Sequence, residues 1–292
     1  MPYDITFSKE FLEVLDRVKK VVNSLTTATK RSLLIFKHDE NPMISIMDMQ
    51  TLVNITTDDS HCSFGSDEIP ITNFLEFMEY IKAINYPEGD SKICCSDEKS
   101  TRGKTYTSFV FSGEHSTYRT IVADSSKFEP EYDRKVPMQR AVDPLKLVGK
   151  FKLDHDDLKR MEKDLSLMGS PNSFGVIVDN DEISIYIRGL QDNQMTKKID
   201  ELKVKVFDGY TTKEGDADGP FKLFPAKFIK YMTNIGCDFE VELRVFEGPH
   251  KTVTAIKAYG VIGEDSESPI RILVGTQESS AEAVSNNYEV IE

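Results

Sequence analysis

The chain has 292 residues, a net charge of −13 from 36 Lys and Arg against 49 Asp and Glu, 39% hydrophobic residues and no tryptophan. This length and apolar content suffice for two domains with buried cores, and no apolar run reaches the roughly 18 residues of a membrane helix. The acidity excludes a uniformly basic nucleic-acid-binding protein, although it allows a few cations gathered on one surface. Four cysteines without a C-x-x-C spacing, and an N-terminus without a signal or transit peptide, favour a reducing, cytoplasmic environment.

The sequence contains no catalytic motif. The five histidines lack a zinc-binding spacing, and the G-x-S-x-G, G-x-x-x-x-G-K-[ST] and G-x-G-x-x-G patterns are absent. The nearest metal motif runs from Glu214 to Gly219, where acids occupy the first, third and fifth positions of an EF-hand loop. Because Pro225 replaces the bidentate Glu of the twelfth position, we interpret the segment as an acidic loop, with calcium binding as the alternative. We therefore expect a non-enzyme with no catalytic residue and no cofactor.

Hydrophobic periodicity predicts two helices in the first half of the chain. Residues Ser8–Leu25 repeat apolar side chains at helical spacing, and Asn73–Ile84 does the same behind a capping box of Asn73 and Glu76. Runs of β-forming residues predict strands at Ser32–Lys37, Met43–Asp48, Leu52–Thr57, Ser91–Cys95, Thr105–Phe111 and Ser116–Val122.

The same order of elements is predicted again in the second half. A third helix runs from Asp154 to Met168, and a fourth begins at Pro225, a residue favoured in the first turn. Strands are predicted at Phe174–Val178, Ile183–Arg188, Leu202–Phe207, Phe239–Phe246, Thr252–Tyr259 and Ile270–Val274. Repetition on this scale indicates two similar domains in tandem. We predict an α+β fold with two helices on antiparallel sheet in each of residues 1–136 and 137–275, followed by a loose acidic tail over 276–292.

The outer faces of three of the four helices are basic. A single such face usually means a solvated surface, but the joint pattern in an acidic chain favours one surface that meets phosphates. The second helix departs from this pattern, because Glu76 and Glu79 point outward. The candidate DNA-facing residues are Lys9, Arg17, Lys20, Lys82, Lys159, Arg160, Lys163, Lys227 and Lys230.

Helix packing limits the assembly that such a surface can form. If four helices per chain line the inside of a ring at about 9 Å spacing, two chains leave a hole of roughly 13 Å. Three chains give a circumference of about 108 Å and a hole of roughly 25 Å, just wider than B-form DNA. A trimer closed by head-to-tail contacts through sheet edges is therefore the smallest ring that surrounds a duplex.

The order and spacing of these elements resemble DNA polymerase sliding clamps, and most closely the trimeric two-domain clamps of tailed bacteriophages. The matching segments are SKEFLEVLDRVKKV, ISIMDMQTLVNITT, PITNFLEFMEYIKAI, SFGVIVDNDEISIYIRG, KLFPAKFIKYM, FEVELRVFE and RILVG. The resemblance implies a ring-shaped processivity factor that encircles duplex DNA without reading its sequence and tethers the replicative DNA polymerase. It further implies a homotrimer in the cytoplasm of a bacterial host, an ATP-dependent clamp loader supplied by other proteins, and a polymerase tail peptide as partner.

In clamps, such partner peptides bind in an apolar pocket beneath the interdomain connector and beside the last strand. Carried over to this chain, the resemblance nominates Met47, Leu52, Phe128, Leu273 and Val274. Two other classes of protein stay open at this point. One is a structural or assembly protein of a virus particle built from tandem α+β modules, and the other is a monomeric processivity factor that holds DNA by charge alone.

Overall fold

The chain divides into two compact units. A computed structural model describes residues 3–24, 33–48, 51–99, 105–122, 146–169, 172–179, 182–188, 194–198, 222–247, 252–263 and 267–277. Unit 1 takes the described residues of Met1–Ile46, Asn54–Pro137 and Ile262–Ile272, and unit 2 takes those of Met47–Val53, Met138–Val261 and Leu273–Glu292. The sequence analysis predicted a single boundary after residue 136. In the structure, Met47–Val53 from the first half belongs to unit 2, and Ile262–Ile272 from the second half belongs to unit 1.

Unit 1 contains two helices, α1 (Lys9–Asn23) and α2 (Phe74–Ala83). Its strands are β1 (Tyr3–Phe7), β2 (Leu33–His38), β3 (Asn41–Asp48), β4 (Thr51–Thr56), β5 (Cys62–Phe64), β6 (Glu68–Ile71), β7 (Lys92–Lys99), β8 (Thr105–Ser112) and β9 (Thr117–Val122). Five of them form a sheet in the order β5-β1-β7-β8-β9, with antiparallel pairing throughout. A second run has the order β6-β2-β3-β4.

One part of the core of unit 1 lies between the helices and the five-stranded sheet. Helix α1 begins where the Ser8 hydroxyl oxygen accepts a hydrogen bond from the Phe11 backbone N–H at 3.1 Å. From α2, the buried Phe77 ring packs edge-on against Phe109 and Phe111 of β8 at centroid distances of 5.3 and 5.2 Å. The aromatic contacts therefore fix α2 over the β8 side of the sheet.

A histidine ties a late segment of the chain into unit 1. His61 Nε2 donates to the Ser268 carbonyl oxygen at 2.6 Å, because that oxygen can only accept. Its Nδ1 then accepts from the Ser8 hydroxyl at 2.7 Å, next to the first turn of α1. This chain of hydrogen bonds gives a physical reason for the grouping of residues 262–272 with unit 1.

Unit 2 repeats the order of elements. Its helices are α3 (His155–Leu167) and α4 (Lys227–Ile235). Its strands are β10 (Lys146–Leu153), β11 (Ser173–Asp179), β12 (Glu182–Arg188), β13 (Gln194–Lys198), β14 (Lys222–Pro225), β15 (Phe239–Glu247), β16 (Thr252–Ile262) and β17 (Ile270–Gln277). One sheet has the order β13-β12-β11-β14, and a second run has the order β10-β15-β16-β17.

The helices of unit 2 start and stop at specific residues. Helix α3 begins at Asp154, whose carboxylate accepts from the Asp157 backbone N–H at 2.7 Å. Helix α4 packs the buried Phe228 against Phe174 of β11 and ends at Gly236, which has a φ of 75°. A left-handed residue at this position favours glycine, because a Cβ atom would be strained there.

The predicted fold class and all four predicted helices are confirmed, and three details differ. Pro225 ends β14 instead of opening the fourth helix, which begins at Lys227. Strands β1, β5, β6, β10, β13 and β14 were not predicted, and β17 extends to Gln277, two residues into the predicted tail. The predicted strand Leu202–Phe207 and the acidic segment Glu214–Gly219 lie outside the described residues. Within the described part of the chain, every helix is too short or too polar to cross a membrane.

Candidate nucleic-acid interface

In unit 1, two ion pairs join α1 to α2. The Lys82 ammonium donates to the Asp16 carboxylate at 2.8 Å, and the Lys19 ammonium donates to Glu79. From the first ion pair to the second, the residue number increases by three on α1 and decreases by three on α2. The two helices therefore run antiparallel. In these pairs, the charge of Lys82 is balanced by Asp16 and the charge of Glu79 is balanced by Lys19.

The remaining cations of α1 lie on its outer side. Lys9 and Lys20 are exposed, and Arg17 is half-buried. Among the residues that the structure describes, Lys9 and Lys20 make no ion pair within 4 Å. Helix α1 therefore provides the strongest basic surface of unit 1, while Lys82 of α2 is already engaged.

Acid should weaken the link between the helices. The hydrogen bond from Lys82 lowers the pKa of Asp16, and the same bond raises the pKa of Lys82. A carboxylate with a lowered pKa stabilises the fold above its unfolded pKa and loses that contribution as pH falls through the folded value. We expect Asp16→Asn to cost less than about 1 kcal/mol of unfolding free energy at neutral pH, because the pair is solvent-exposed.

The measurement is a double-mutant cycle with Asp16→Asn and Lys82→Met, using urea unfolding at several pH values. The coupling energy should disappear well below about pH 4, where the Asp16 carboxylate is protonated in the folded protein as well as in the unfolded chain. A coupling that persists in acid would contradict an ion pair between these side chains.

In unit 2, α3 and α4 also run antiparallel. The Thr233 hydroxyl of α4 donates to the Leu158 carbonyl oxygen of α3 at 3.4 Å. Three residues further along α4 and three residues earlier on α3, a Cβ atom on Gly236 would lie 3.5 Å from the His155 ring. The side of α3 that carries His155 therefore faces α4.

The cations of unit 2 differ in how far they are engaged. Lys159 lies 3.3 Å from Asp156 and Arg160 lies 3.8 Å from Asp157, both pairs being on exposed turns of α3. Lys163 of α3 and Lys230 of α4 are exposed and make no ion pair within the described part of the chain. Lys227 is half-buried. Helix α4 contains no acid, whereas α3 contains four. Helix α3 is therefore less basic than its outer lysines and arginine alone indicate.

Charge is separated between the helices and the rest of the molecule. The four helices together contain ten Lys and Arg against nine Asp and Glu, while the other residues contain 26 against 40. The helix pairs are thus close to neutral with exposed lysines, in a chain that elsewhere repels phosphates. Exposed lysines of this kind contact a phosphate backbone without reading bases.

The residues nominated for a partner-peptide pocket are described only in part. Leu52 of β4 is 5% exposed and Val274 of β17 is fully buried, as strand core residues are. Leu273 is half-buried and is the only one of these three with appreciable surface. The side chain of Met47 and the whole of Phe128 lie outside what the structure describes.

The described residues include neither a metal-binding cluster nor an activated thiol. No group of three or more His, Cys, Asp or Glu side chains among them is placed to hold a metal ion. The four cysteines are free thiols, and burial raises the pKa of Cys62, which keeps that thiol protonated.

The architecture matches that of solved sliding clamps. Similar structures include proliferating cellular nuclear antigen from Entamoeba histolytica, with a TM-score of 0.52, 12% identity, and coverage of 95% of this chain and 98% of the other. The complex titled "C-terminal region of FEN-1 bound to A. fulgidus PCNA" has a TM-score of 0.55 and 11% identity, over 96% and 98% of the two chains. The H. pylori beta clamp has a TM-score of 0.61 and 11% identity, over 96% of this chain and 66% of its own.

At the level of sequence alone, no protein-family model and no curated protein matches the chain. The structural likeness extends over nearly the whole of this chain and of both PCNA chains, and over about two thirds of the beta clamp. At such low identities it establishes the fold. The chain has the sliding-clamp fold, and what that fold does here is inferred from its own residues.

Proposed function

We propose that this protein is a non-enzymatic sliding clamp that encircles duplex DNA and tethers a DNA polymerase. The observation that carries this proposal is the clamp fold with exposed lysines on the antiparallel helix pair of each unit. Lys20 of α1, Lys163 of α3 and Lys230 of α4 are available to phosphates, and none of them is committed to an ion pair in the described residues. A single helix with such residues would mean little, whereas the same placement in both units supports one shared surface.

The physical chemistry of these contacts suits sliding. Phosphates recur along DNA without sequence information, so a mobile lysine exchanges one for the next with little change in free energy. Because the helices are nearly neutral overall, their affinity for DNA is modest. Closure of the ring around the duplex then keeps the protein on the DNA. The acid excess outside the helices disfavours binding of DNA to other surfaces.

We infer that the ring contains three copies. Four helices per chain at about 9 Å spacing make three copies the smallest ring with room for a duplex. The likeness to PCNA over almost all of both chains supports an assembly built from two-unit subunits. Copies joined head to tail by sheet edges close the ring without leaving exposed edge strands.

The proposed partners follow from the same assignment. A polymerase tail peptide would bind near Met47, Leu52, Phe128, Leu273 and Val274, and the peptide complex of A. fulgidus PCNA supports a peptide as the kind of partner. A closed ring has no free end through which circular DNA can enter, so an ATP-dependent loader belongs to the proposal. We retain the phage-type clamp as the proposed subclass.

The test is whether retention depends on DNA ends. Diluted subunits are assembled in the presence of nicked circular duplex, so that no loader is required, and the DNA is then cut at one site. We expect three times the mass of one chain in solution, retention on the circle in about 0.5 M salt, and release after cutting.

Two outcomes would contradict the clamp. A monomer that leaves circular and linear DNA equally fast, with a steep salt dependence, would identify a charge-based processivity factor. Large assemblies that form without DNA and do not retain it would favour a structural protein of a virus particle.

A further inference from the structure

A glycine of β17 leaves open space on the outer face of unit 2. Val274 and Thr276 are buried, so Gly275 between them faces the opposite side of the sheet. A Cβ atom at Gly275 would meet only one described atom within 4 Å, a backbone oxygen of β16 at 3.9 Å, and its φ is not positive. By contrast, packing requires Gly260 of β16, where a Cβ atom would lie 2.6 Å from the Cys237 sulfur. A strand glycine that packing does not require marks a place where another backbone can approach closely.

Partly exposed apolar side chains lie beside this glycine. Leu273, two residues earlier, faces the same side of β17 and is half-buried. Strands β16 and β17 are neighbours joined by a short connection, and they therefore run antiparallel. Since Gly275 lies beside Ile256, Leu273 lies level with the residues just before Tyr259, which is 37% exposed. Tyr259, Leu273 and Gly275 thus form an apolar groove, the β17 groove.

The same face carries more cations than acids next to the groove. Cross-strand pairing places Lys257 of β16 opposite Glu242 of β15, and the Arg244 side chain donates to Glu242 at 2.7 Å. The described charged side chains on this face of β10, β15 and β16, with the residue just before β15, are Lys150, Lys152, Arg244 and Lys257 against Asp238, Glu240 and Glu242. In a chain with a net charge of −13, this local excess of cations favours an acidic occupant.

The residues that follow β17 have the complementary chemistry. Residues 278–292, which lie outside the described part of the chain, contain four glutamates and no lysine or arginine. Their last five residues, 288–292, combine apolar side chains with two of these glutamates in the sequence YEVIE. Ten residues, 278–287, precede them, and an unstructured chain of that length spans roughly 15–20 Å. Because β17 ends at Gln277, only two residues after Gly275, this length suffices to return to the groove.

We propose that residues 288–292 bind in the β17 groove of their own chain and that the polymerase peptide has to displace them. The Tyr288 ring packs over Gly275 beside Leu273, and the two glutamates face the cations of β15 and β16. Tethering gives the segment an effective concentration of about 1 mM, so that a weak contact is enough to fill the groove. Binding of the segment concerns this chain alone, whereas the competition rests on the proposed function.

The first experiment places a fluorescent reporter in the segment. The chain contains no tryptophan, so Tyr288→Trp introduces a single one into the full-length protein. We expect its emission to be blue-shifted and shielded from iodide relative to the matched control Val284→Trp, which lies in the preceding part of the segment. Equal emission and equal quenching of the two tryptophans would overturn the proposal and leave the clamp unaffected.

Filling the groove should release the reporter. Gly275→Leu, added to Tyr288→Trp, should shift the emission to that of a solvated tryptophan, because the new side chain occupies the open space above β17. Lys92→Leu is the matched control, since it adds the same side chain at an exposed position of β7, and it should leave the emission unchanged. Circular dichroism checks that both variants are folded. A reporter that stays shielded in folded Gly275→Leu would show that it binds elsewhere.

The second experiment measures competition with a labelled synthetic peptide of residues 278–292. A full-length variant with Tyr288→Ser and Ile291→Ser should bind the peptide about tenfold or more tightly than the wild type, because its own segment no longer competes at about 1 mM. Adding Gly275→Leu should abolish this binding. Equal affinities of the wild type and the double variant would contradict occupation of the groove by the protein's own segment.

Charge changes in the peptide test its orientation. A peptide with Glu289→Lys and Glu292→Lys should bind the double variant about tenfold more weakly than the unchanged peptide, whereas Glu278→Lys with Glu282→Lys should cost about twofold or less. Equal losses for the two peptides would overturn the placement of residues 288–292 beside the cations. None of these measurements involves DNA or ring closure. If the DNA-retention test fails while they succeed, the proposed function is wrong and the occupation of the groove stands.

Discussion

Changing Lys20 and Lys163 together to glutamate is expected to lower the affinity of the protein for duplex DNA roughly 100-fold or more at about 0.1 M salt. Both side chains are exposed on outer helix faces, one in each unit, and neither has an ion-pair partner among the described residues. On the counterion-release slope of about −0.9, each lost phosphate contact is worth about a factor of eight at this salt, and two new carboxylates add repulsion. The measurement is the salt dependence of binding to short linear duplexes.

Processivity should fall with this affinity. A ring whose inner surface repels phosphates would not support polymerase extension on primed circular DNA, although its mass in solution should be unchanged. The salt slope should decrease by about two for each copy whose helices contact DNA.

The matched control is Lys92→Glu with Arg271→Glu, which changes the net charge by the same amount. Lys92 is exposed and alternates with buried Ile93 on β7, so it points away from the helices. Arg271 is exposed and alternates in the same way with Ile270 and Ile272 on β17. Equal loss of binding in both double variants would show that overall charge, and not the helix surface, governs DNA binding.

Phe77→Ala should destabilise the protein by about 3–5 kcal/mol, the usual range for removing a buried phenylalanine. The Phe77 ring is 2% exposed and contacts the rings of Phe7, Phe109 and Phe111. Its removal leaves a cavity between α2 and β8 that rigid neighbouring rings cannot fill. Unfolding in urea, followed by far-ultraviolet circular dichroism at one protein concentration, measures the loss.

A half-buried leucine on the same helix provides the comparison. Leu75→Ala should cost under about 1 kcal/mol, because its side chain already contacts solvent. Similar losses for Phe77→Ala and Leu75→Ala would mean that α2 is not anchored through the aromatic cluster.

The helices were predictable from the sequence because each repeats apolar residues at a helical spacing that few other structures accommodate. The missed strands lack an equally clear pattern. Strand β10 alternates lysines with apolar residues around Gly149, and β13 is mostly polar, with the sequence QMTKK. Pro225 was assigned to a helix start because proline is favoured there, yet it serves equally well as the last residue of β14.

The exposed cations were predictable too, whereas their partners were not. Asp16 and Lys82 are 66 positions apart, and only the packing of α1 against α2 brings them within 2.8 Å. The same holds for the stacking of Tyr80 on Tyr118, which depends on the placement of β9 beside α2. Local periodicity determines which face of a helix is buried, but not which neighbour lies along its flank.

Some helix lysines are held in ion pairs with acids and others are not, and this difference affects how a closed ring would contact DNA. Helix α4 contains no acid and its Lys230 is exposed, whereas the single lysine of α2 is held by Asp16. In the proposed ring of three copies, helices of these two kinds would place strong and weak sectors in alternation, repeating every 120° around the bore. A duplex inside should favour positions off-centre, close to one strong sector at a time, with a wider water layer on the opposite side.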